Sequence, residues 1–318
     1  MNLSGVLLDQ GSLDAGDINL NTIVSQFSQW NAYSNSNPTE TLQRLENAEI
    51  VISNKVLLDA SIINNNPQLK LICIAATGVN NVDLVAAKKM GIAVCNVAGY
   101  ATPSVVQHVF SLILALQTNL CDYSSKVFSG EWAKAEHFCL LDSPITELQG
   151  KTLGIIGYGE LGQAVEKVAI AFGLNILIAE SFSGRTSENR TPLDDVLKQS
   201  DIVTLHCPLS EQTNNLIDTA ALSKMKSSAF LINTARGGIV NEADLAVALD
   251  NNIIAGAALD VLSQEPPVKN ILLENHRKNL IITPHIAWAS QQSRQRLIDE
   301  IGKNISAFRK GKSRNLIV

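Results

Sequence analysis

The sequence predicts an α/β protein with doubly wound parallel sheets, and three observations carry that prediction. Hydrophobic runs of about five residues, the length of a strand, recur at 5–9, 48–53, 70–75 and 93–96, and again at 152–156, 175–179, 201–206, 229–233, 256–260 and 280–283. Most are continuously apolar rather than alternating, as in strands covered on both faces. Stretches of helical period separate them, the alternation that builds a parallel sheet.

The 318 residues leave room for two domains, each with its own core. Apolar residues make up 46% and charged residues 17%, a balance that excludes a disordered chain. A net charge of −5 gives no electrostatic footprint for nucleic acid or an anionic membrane, so neither is an expected partner. No apolar run approaches the roughly 18 residues of a membrane span. The opening Met1-Asn-Leu-Ser-Gly lacks the basic region and long apolar stretch of a signal peptide. The cysteines are Cys73, Cys95, Cys121, Cys139 and Cys207, an odd count without a CxxC pair. That reads as neither a disulfide framework nor a metal site, but as small buried hydrophobes in a reducing cytoplasm.

Along the chain, the polar segment 31–40 reads as a loop. The stretch 103–120 is apolar almost all round, through Val105, Val106, Val109, Phe110, Leu112, Ile113, Leu114 and Leu116. A helix of that kind is buried, and His108 inside it reads as packed. Residues 121–148 differ, with Tyr123, Phe128, Trp132, Phe138 and Leu141 set among the breakers Gly130 and Pro144. They read as an irregular arm. Its aromatics either make a subunit contact, giving a homodimer, or fold over their own domain. The last helix, 290–312, has Ser290 as its cap and a stripe of Leu297, Ile298, Ile301, Ile305 and Phe308. A tail of about 30 residues cannot fold alone. The expected organisation is therefore discontinuous: 1–100 plus 287–318 form one domain, and 101–286 form a second that holds the buried helix and the arm.

The sharpest local signal is Gly157-Tyr-Gly159-Glu-Leu-Gly162. A strand precedes it, and an amphipathic helix ended by Gly173 follows. The next strand finishes on Glu180, 18 residues after Gly162. These elements make up the dinucleotide fingerprint. Gly157 permits the tight turn, and Gly159 lets the backbone approach a pyrophosphate. The phosphate charge would meet the helix start at Glu160, Leu161 and Gly162, and Gly162 permits close helix–strand packing. The Glu160 carboxylate, unfavourable beside a pyrophosphate, is expected to point to solvent. Glu180 can accept from a ribose 2′-hydroxyl and would repel a 2′-phosphate, which favours NAD. Arg185 and Ser181 follow closely and keep NADP open.

Ligands of open α/β sheets bind beyond the carboxyl ends of the strands. Three titratable residues fall there: Arg236 after the strand ending at Asn233, Glu265 after the strand ending at Asp260, and His285 after the strand ending at Thr283. Each has a plain alternative. The arginine beside two glycines can bond loop carbonyls, the glutamate before two prolines can be solvated, and the Pro-His can belong to a core. Their joint placement after three strands favours a site.

The run 225–240, Met-Lys-Ser-Ser-Ala-Phe-Leu-Ile-Asn-Thr-Ala-Arg-Gly-Gly-Ile-Val, resembles the NAD-dependent D-2-hydroxyacid dehydrogenases, as do Glu265-Pro-Pro and Pro284-His285. The likeness extends to 75–83 and 96–105, so it covers nearly the whole chain. Residues 138–144, Phe-Cys-Leu-Leu-Asp-Ser-Pro, are similar to the glycerate dehydrogenase (hydroxypyruvate reductase) branch. The resemblance implies a Rossmann dinucleotide-binding domain and a smaller flavodoxin-like substrate domain. It implies that Arg236 binds the substrate carboxylate and carbonyl, that His285 is the acid/base and that Glu265 is its partner. The amides of Thr77, Gly78 and Val79 would hold the carboxylate as well. Cofactor contacts would come from Thr102 and Asp260 toward the nicotinamide, with Asp260 orienting its carboxamide, and from His206, Cys207, Pro208, Thr234, Ala235 and His285. Asn241 and Glu180 stand where many members have Asp, and Glu265 argues against the formate dehydrogenase branch.

These residue types suit reduction of a 2-oxo acid. Arginine offers paired planar donors to a carboxylate, which lysine does not. Histidine can pass a proton to the carbonyl oxygen, and a neighbouring carboxylate favours the imidazolium and fixes its tautomer. The expected activity is NAD-dependent reduction of hydroxypyruvate, with glyoxylate as a smaller substrate. Another small D-2-hydroxy acid stays open, as does an NAD(H)-sensing regulator on the same scaffold.

Overall fold

The computed structural model describes residues 3–182 and 189–318. Arg185 lies outside the described residues. The chain folds as two compact units, Met1–Ala101 with Trp288–Val318, and Thr102–Ala287.

The first unit is built on a parallel sheet of β1 (Ser4–Leu7), β2 (Gln29–Ala32), β3 (Ile50–Ser53), β4 (Leu71–Ile74) and β5 (Ala93–Cys95), in the order β2-β1-β3-β4-β5. That order is the flavodoxin-like one. Successive side chains point to opposite faces. Leu7, Ile50, Ile52, Leu71, Cys73 and Cys95 join one buried cluster, and Val6, Val51, Ile72, Ile74 and Val94 join the other. Both faces are covered, which is why these strands read as continuous apolar runs. The helix Gln291–Arg309 covers the first face with Leu297, Ile298, Ile301 and Ile305, and the Ser290 side chain caps it by accepting from the Ser293 amide.

Residues 31–40 are not a loop. They hold the end of β2, which pairs with β1, and the start of the helix Pro38–Leu45. A capping box opens that helix, with Asn37 accepting from the Glu40 amide and Glu40 from the Asn37 amide. The strand escapes a hydrophobic reading because it is an edge strand with exposed polar residues such as Gln29 and Asn31.

The second unit is built on β6 (Thr152–Ile156), β7 (Asn175–Ile178), β8 (Ile202–Leu205), β9 (Phe230–Asn233), β10 (Gly256–Leu259) and β11 (Leu280–Ile282), in the order β11-β10-β9-β8-β6-β7. Outside β7, Ala179 makes one parallel bridge with Thr191. The strand order reverses between β6 and β8, the switch point at which such sheets bind ligands. Each predicted strand forms, most of them trimmed at an end.

The buried helix runs Thr102–Gln117 and stops earlier than the apolar pattern suggests. Asn119 takes a left-handed φ of 49°, which asparagine tolerates, and a second helix, Leu120–Phe128, begins there. The arm is therefore helical in its first third and not wholly irregular. Lys126 ties it together, 2.7 Å from Asp122 and 2.6 Å from Asp142, and the Tyr123 hydroxyl donates to the Ser143 carbonyl. Phe128 and Phe138 remain 89% and 90% exposed. Cys73, Cys95 and Cys207 are buried as small hydrophobes, whereas Cys121 is exposed and Cys139 half-buried because both lie in the arm. Among the described residues, no single helix is long and apolar enough to cross a membrane.

Ile301 is fully buried between its helix and the sheet. Ile301→Ala is expected to cost about 2–5 kcal/mol of stability, read as a lower denaturant midpoint. An unchanged midpoint would separate this helix from the core.

Candidate active site

β6 delivers Gly157 at φ +94°, a conformation that glycine adopts freely. A Cβ there would lie 2.3 Å from the Cys207 amide nitrogen, so the turn after β6 packs directly on the segment His206-Cys207-Pro208 after β8. A Cβ at Gly162 would lie 2.4 Å from the Gly157 carbonyl oxygen, so the helix Glu160–Ala171 is seated on the turn. Gly159 is different. It is the N-cap, offers no side-chain cap, and a Cβ there would meet nothing within 4 Å. The first-turn amides at Glu160, Leu161 and Gly162 have no intrahelical acceptor, so they are donors available to an anion, with open space at Gly159. Glu160 does not simply point into solvent. Its exposed carboxylate accepts from the Thr102 hydroxyl at 2.6 Å, which offers it a donor and brings Thr102 to the glycine turn. Glu180 is exposed just past β7. Arg190, unremarked in the sequence, lies nearby: it donates to the Ala179 carbonyl at 2.8 Å and covers the Tyr158 ring at 5.2 Å.

After β8, the His206 ring is enclosed, with Nε2 2.9 Å from the Thr204 hydroxyl. Its Nδ1 is buried and finds no partner among the described residues, and the same holds for Oγ1 of Thr234 after β9. Buried polar atoms are normally paired, so two orphans in a unit with a bare, open helix start fit a polar ligand. A dinucleotide, with phosphates for the helix start and hydroxyl and amide groups for the orphans, suits these residues. Burial keeps the His206 imidazole neutral, with its pKa pushed down to about 4, and pushes the Cys207 thiol up to about 11.

β9 ends at Asn233, whose buried side chain accepts from the Ala235 amide at 3.0 Å and donates to the Arg236 carbonyl at 2.8 Å. This fixes the turn and leaves Arg236 exposed, with Nη1 2.6 Å from the Ala235 carbonyl. A Cβ on the next residue, Gly237, would fall 1.9 Å from the Leu262 carbonyl carbon. Glycine thus lets the arginine loop lie against the segment after β10. There the Leu262 amide donates to Glu265 Oε1 at 2.9 Å, and Glu265 Oε2 lies 2.5 Å from His285 Nδ1. Asn241 caps the helix Glu242–Asp250 by accepting from the Asp244 amide, which aspartate would do equally well.

Asp260, 1% exposed, carries the segment that holds His285. Its carboxylate accepts from the amides of Ile286 at 2.9 Å and Ala287 at 2.8 Å and from the Thr283 hydroxyl at 2.5 Å, and His108 Nε2 lies 3.4 Å away. Its carbonyl accepts from the His285 amide at 2.8 Å. These bonds hold His285 at φ +55°, uncommon for a residue with a side chain. Burial pushes the Asp260 carboxyl up, but the bonds from His108, Thr283 and the two amides outweigh it and hold the group below the usual carboxylate range. The carboxylate is thus engaged in building the His285 segment, a role the sequence does not announce.

His108 is more than a packed residue, because its Nε2 lies 2.9 Å from the Thr283 hydroxyl. Ser104, one turn earlier, donates to the Ala287 carbonyl at 2.7 Å. The helix Thr102–Gln117 therefore touches the glycine turn through Thr102 and the Asp260 network through Ser104 and His108. The available signal was Ser104 and His108, four residues apart on one side of a largely apolar helix. His137 and His276 are exposed. In the first unit, Thr77, Gly78 and Val79 follow β4. The Thr77 hydroxyl donates to the Val97 carbonyl at 3.0 Å, and the Asn96 side chain donates to the Thr77 carbonyl at 2.7 Å.

His206 makes the fold acid-sensitive. Its imidazole titrates near 6.5 when exposed and near 4 in the fold, so between these values the unfolded chain binds more protons. The stability it contributes is present above pH 6.5 and is lost as pH falls toward 4, up to about 3 kcal/mol. The denaturant midpoint of the wild type is expected to fall more steeply over this range than that of His206→Asn. Parallel slopes would mean that the ring is not held neutral.

Residues 110–287 match the family described as D-isomer specific 2-hydroxyacid dehydrogenase, NAD binding domain. Glycerate dehydrogenase of Methylorubrum extorquens is 44% identical over 317 residues, 98% of this chain and 98% of that one. Hydroxypyruvate reductase of Blautia hydrogenotrophica is 36% identical over 320 aligned positions, again 98% of each. Among solved structures, the TT0316 protein from Thermus thermophilus has a TM-score of 0.88 at 31% identity, with 99% of this chain and 100% of that chain covered. Sequence likeness over the whole length and the fold agree: the chain belongs to the D-isomer specific 2-hydroxyacid dehydrogenase family of oxidoreductases.

Proposed function

We propose that the protein is an NAD-dependent D-2-hydroxyacid dehydrogenase that reduces hydroxypyruvate to D-glycerate and, as a second reaction, glyoxylate to glycolate. The observation that carries this reading is the 2.5 Å contact between His285 Nδ1 and Glu265 Oε2, placed beyond the carboxyl ends of β11 and β10. The likeness to a glycerate dehydrogenase and a hydroxypyruvate reductase supports the choice of substrate.

A nicotinamide cofactor held here would supply the hydride to C2. Arg236 exchanges its bond to the Ala235 carbonyl for the substrate, pairing with the carboxylate and stabilising the charge that develops on the carbonyl oxygen. The amides of Thr77, Gly78 and Val79 also hold the carboxylate. With Nδ1 fixed by Glu265, His285 passes the proton from Nε2 to the carbonyl oxygen and takes it back in oxidation. The amides of Glu160, Leu161 and Gly162 would hold the pyrophosphate, with Gly157 and Gly159 giving access. Thr102, His206, Cys207, Pro208, Thr234, Ala235 and Asp260 complete the cofactor contacts. The exposed carboxylate of Glu180 would accept from a ribose 2′-hydroxyl and repel a 2′-phosphate, which supports NAD over NADP. The exposed Phe128 and Phe138 support subunit contact through the arm, hence a homodimer, and five free cysteines suit a reducing cytoplasm.

The test is turnover of hydroxypyruvate, glyoxylate, pyruvate and 3-phosphohydroxypyruvate with NADH and with NADPH, followed by nicotinamide absorbance. The expected outcome is the highest kcat/KM for hydroxypyruvate with NADH. A preference for pyruvate or the phosphorylated acid overturns the substrate, a preference for NADPH overturns the role of Glu180, and dinucleotide binding without turnover points to a sensor. His285→Asn is expected to lower kcat by about 10²–10⁴-fold. Arg236→Lys is expected to lower kcat/KM for hydroxypyruvate by about 10²-fold, because one fixed pair of donors is lost. Unchanged kinetics in either variant would remove that residue from the reaction.

A further inference from the structure

Cys73 and Cys95 occupy partnered positions on the neighbouring parallel strands β4 and β5, with Sγ atoms 3.4 Å apart in hydrogen-bond contact. They are 1% and 2% exposed. Beside Cys95, a cavity of about 250 Å³ is lined by Asn304, Phe308, Arg314 and Leu316. Arg314 is held in place by Glu300 and by the Asn304 side chain at 2.6 Å. We propose that Cys95 and Cys73 form a redox-active pair, in which a small hydroperoxide reaching Cys95 through this cavity converts the two thiols reversibly to a disulfide.

The two sulfurs differ in character. The hydrogen bond shared with Cys73 holds the Cys95 thiol below its usual range, with Asn304 and the Arg314 cation adding to it against the burial. The same bond and burial hold Cys73 above its usual range. Cys95, which also lines the cavity, is thus the more acidic and attacking sulfur, and Cys73 the resolving thiol. In the first step the Cys95 thiolate attacks the peroxide. An S–O bond forms, the O–O bond breaks, and the departing oxide takes a proton to leave as water or an alcohol. Cys95, oxidised by two electrons, becomes a sulfenic acid. In the second step the Cys73 sulfur attacks Cys95, the S–S bond forms, the S–O bond breaks, and the Cys73 proton leaves with the hydroxide as water. Adjacent strands lie about 4.8 Å apart, inside the Cα range a disulfide spans, so closing 3.4 Å to a bond of about 2.05 Å takes side-chain rotation and a small adjustment of β4 against β5.

The pair adjoins the loop after β4. Cys73 lies four residues before Thr77, and the residues after β5 hold that loop through Asn96 to the Thr77 carbonyl and through the Val97 amide to the Ala76 carbonyl at 3.1 Å. On the reading above that Thr77, Gly78 and Val79 hold the substrate carboxylate, closing the disulfide shifts that loop and raises KM for the oxo acid.

The experiment treats the full-length protein with hydrogen peroxide, blocks remaining thiols by alkylation and maps tryptic peptides without reduction. Fragmentation must tell Cys95 from Cys121, which share one tryptic peptide. A Cys73–Cys95 link that dithiothreitol removes, and a dimedone-trapped sulfenic acid on Cys95 in Cys73→Ser, support the pair. Oxidation confined to Cys121 and Cys139, with Cys73 and Cys95 recovered alkylated, overturns it. This readout needs no turnover, so it stands apart from the proposed activity. In the linked protein, a several-fold higher KM for hydroxypyruvate that dithiothreitol reverses supports the coupling to the loop, and an unchanged KM overturns that coupling.

Discussion

The buried carboxylate of Asp260 ties together two strand ends that no short connection joins. β10 and β11 run parallel, so no hairpin links them at the end where His285 must be placed. Asp260 closes that end with bonds to Thr283, Ile286 and Ala287, and His108 approaches from the helix Thr102–Gln117. A buried charge is costly unless fully hydrogen-bonded. The demand for donors therefore folds the 283–287 segment tightly around one carboxylate. The left-handed backbone of His285 lies between bonded residues on both sides, which offset its cost.

Two close approaches extend this order along the sheet. Gly157 seats the turn after β6 on the segment after β8, and Gly237 seats the turn after β9 on the segment after β10. With Asp260 joining β10 to β11, the strand ends are fastened in two groups, β6 with β8 and β9 with β10 and β11. The glycines serve different ends. At Gly157 and Gly237 a side chain would strike backbone, so these positions hold loops together. At Gly159 a side chain would strike nothing in the protein, so the space there is available to a ligand.

Much of this was legible in the sequence, for a physical reason. Strands such as β3, β4, β8 and β10 are buried on both faces and announce themselves as apolar runs. The glycine turn, Arg236, Glu265 and His285 are legible because their chemistry admits few substitutes. β2 was hidden because an edge strand needs no apolar pattern, and the break at Asn119 because one left-handed residue interrupts a pattern that continues in composition. The Asp260 network was hidden for another reason. His108 meets Thr283 across 175 positions, and Ser104 meets Ala287 across 183, so no local window contains both partners.

Two carboxylates lie close to His285, and the structure separates their effects. Asp260 bonds to the backbone of the His285 segment and sets where the residue stands. Glu265 bonds to the ring and sets how the imidazole is turned, and it is itself fixed by the Leu262 amide. The two constraints originate within one stretch, 260–265, immediately after β10, so position and orientation share a single rigid reference. Proton transfer requires both to within a fraction of an ångström. Had one carboxylate served both purposes, its hydrogen-bond capacity would be divided between two amides, a hydroxyl and the ring. Dividing the work lets Asp260 be buried and held by several donors while Glu265 stays partly exposed, with its second oxygen on the imidazole.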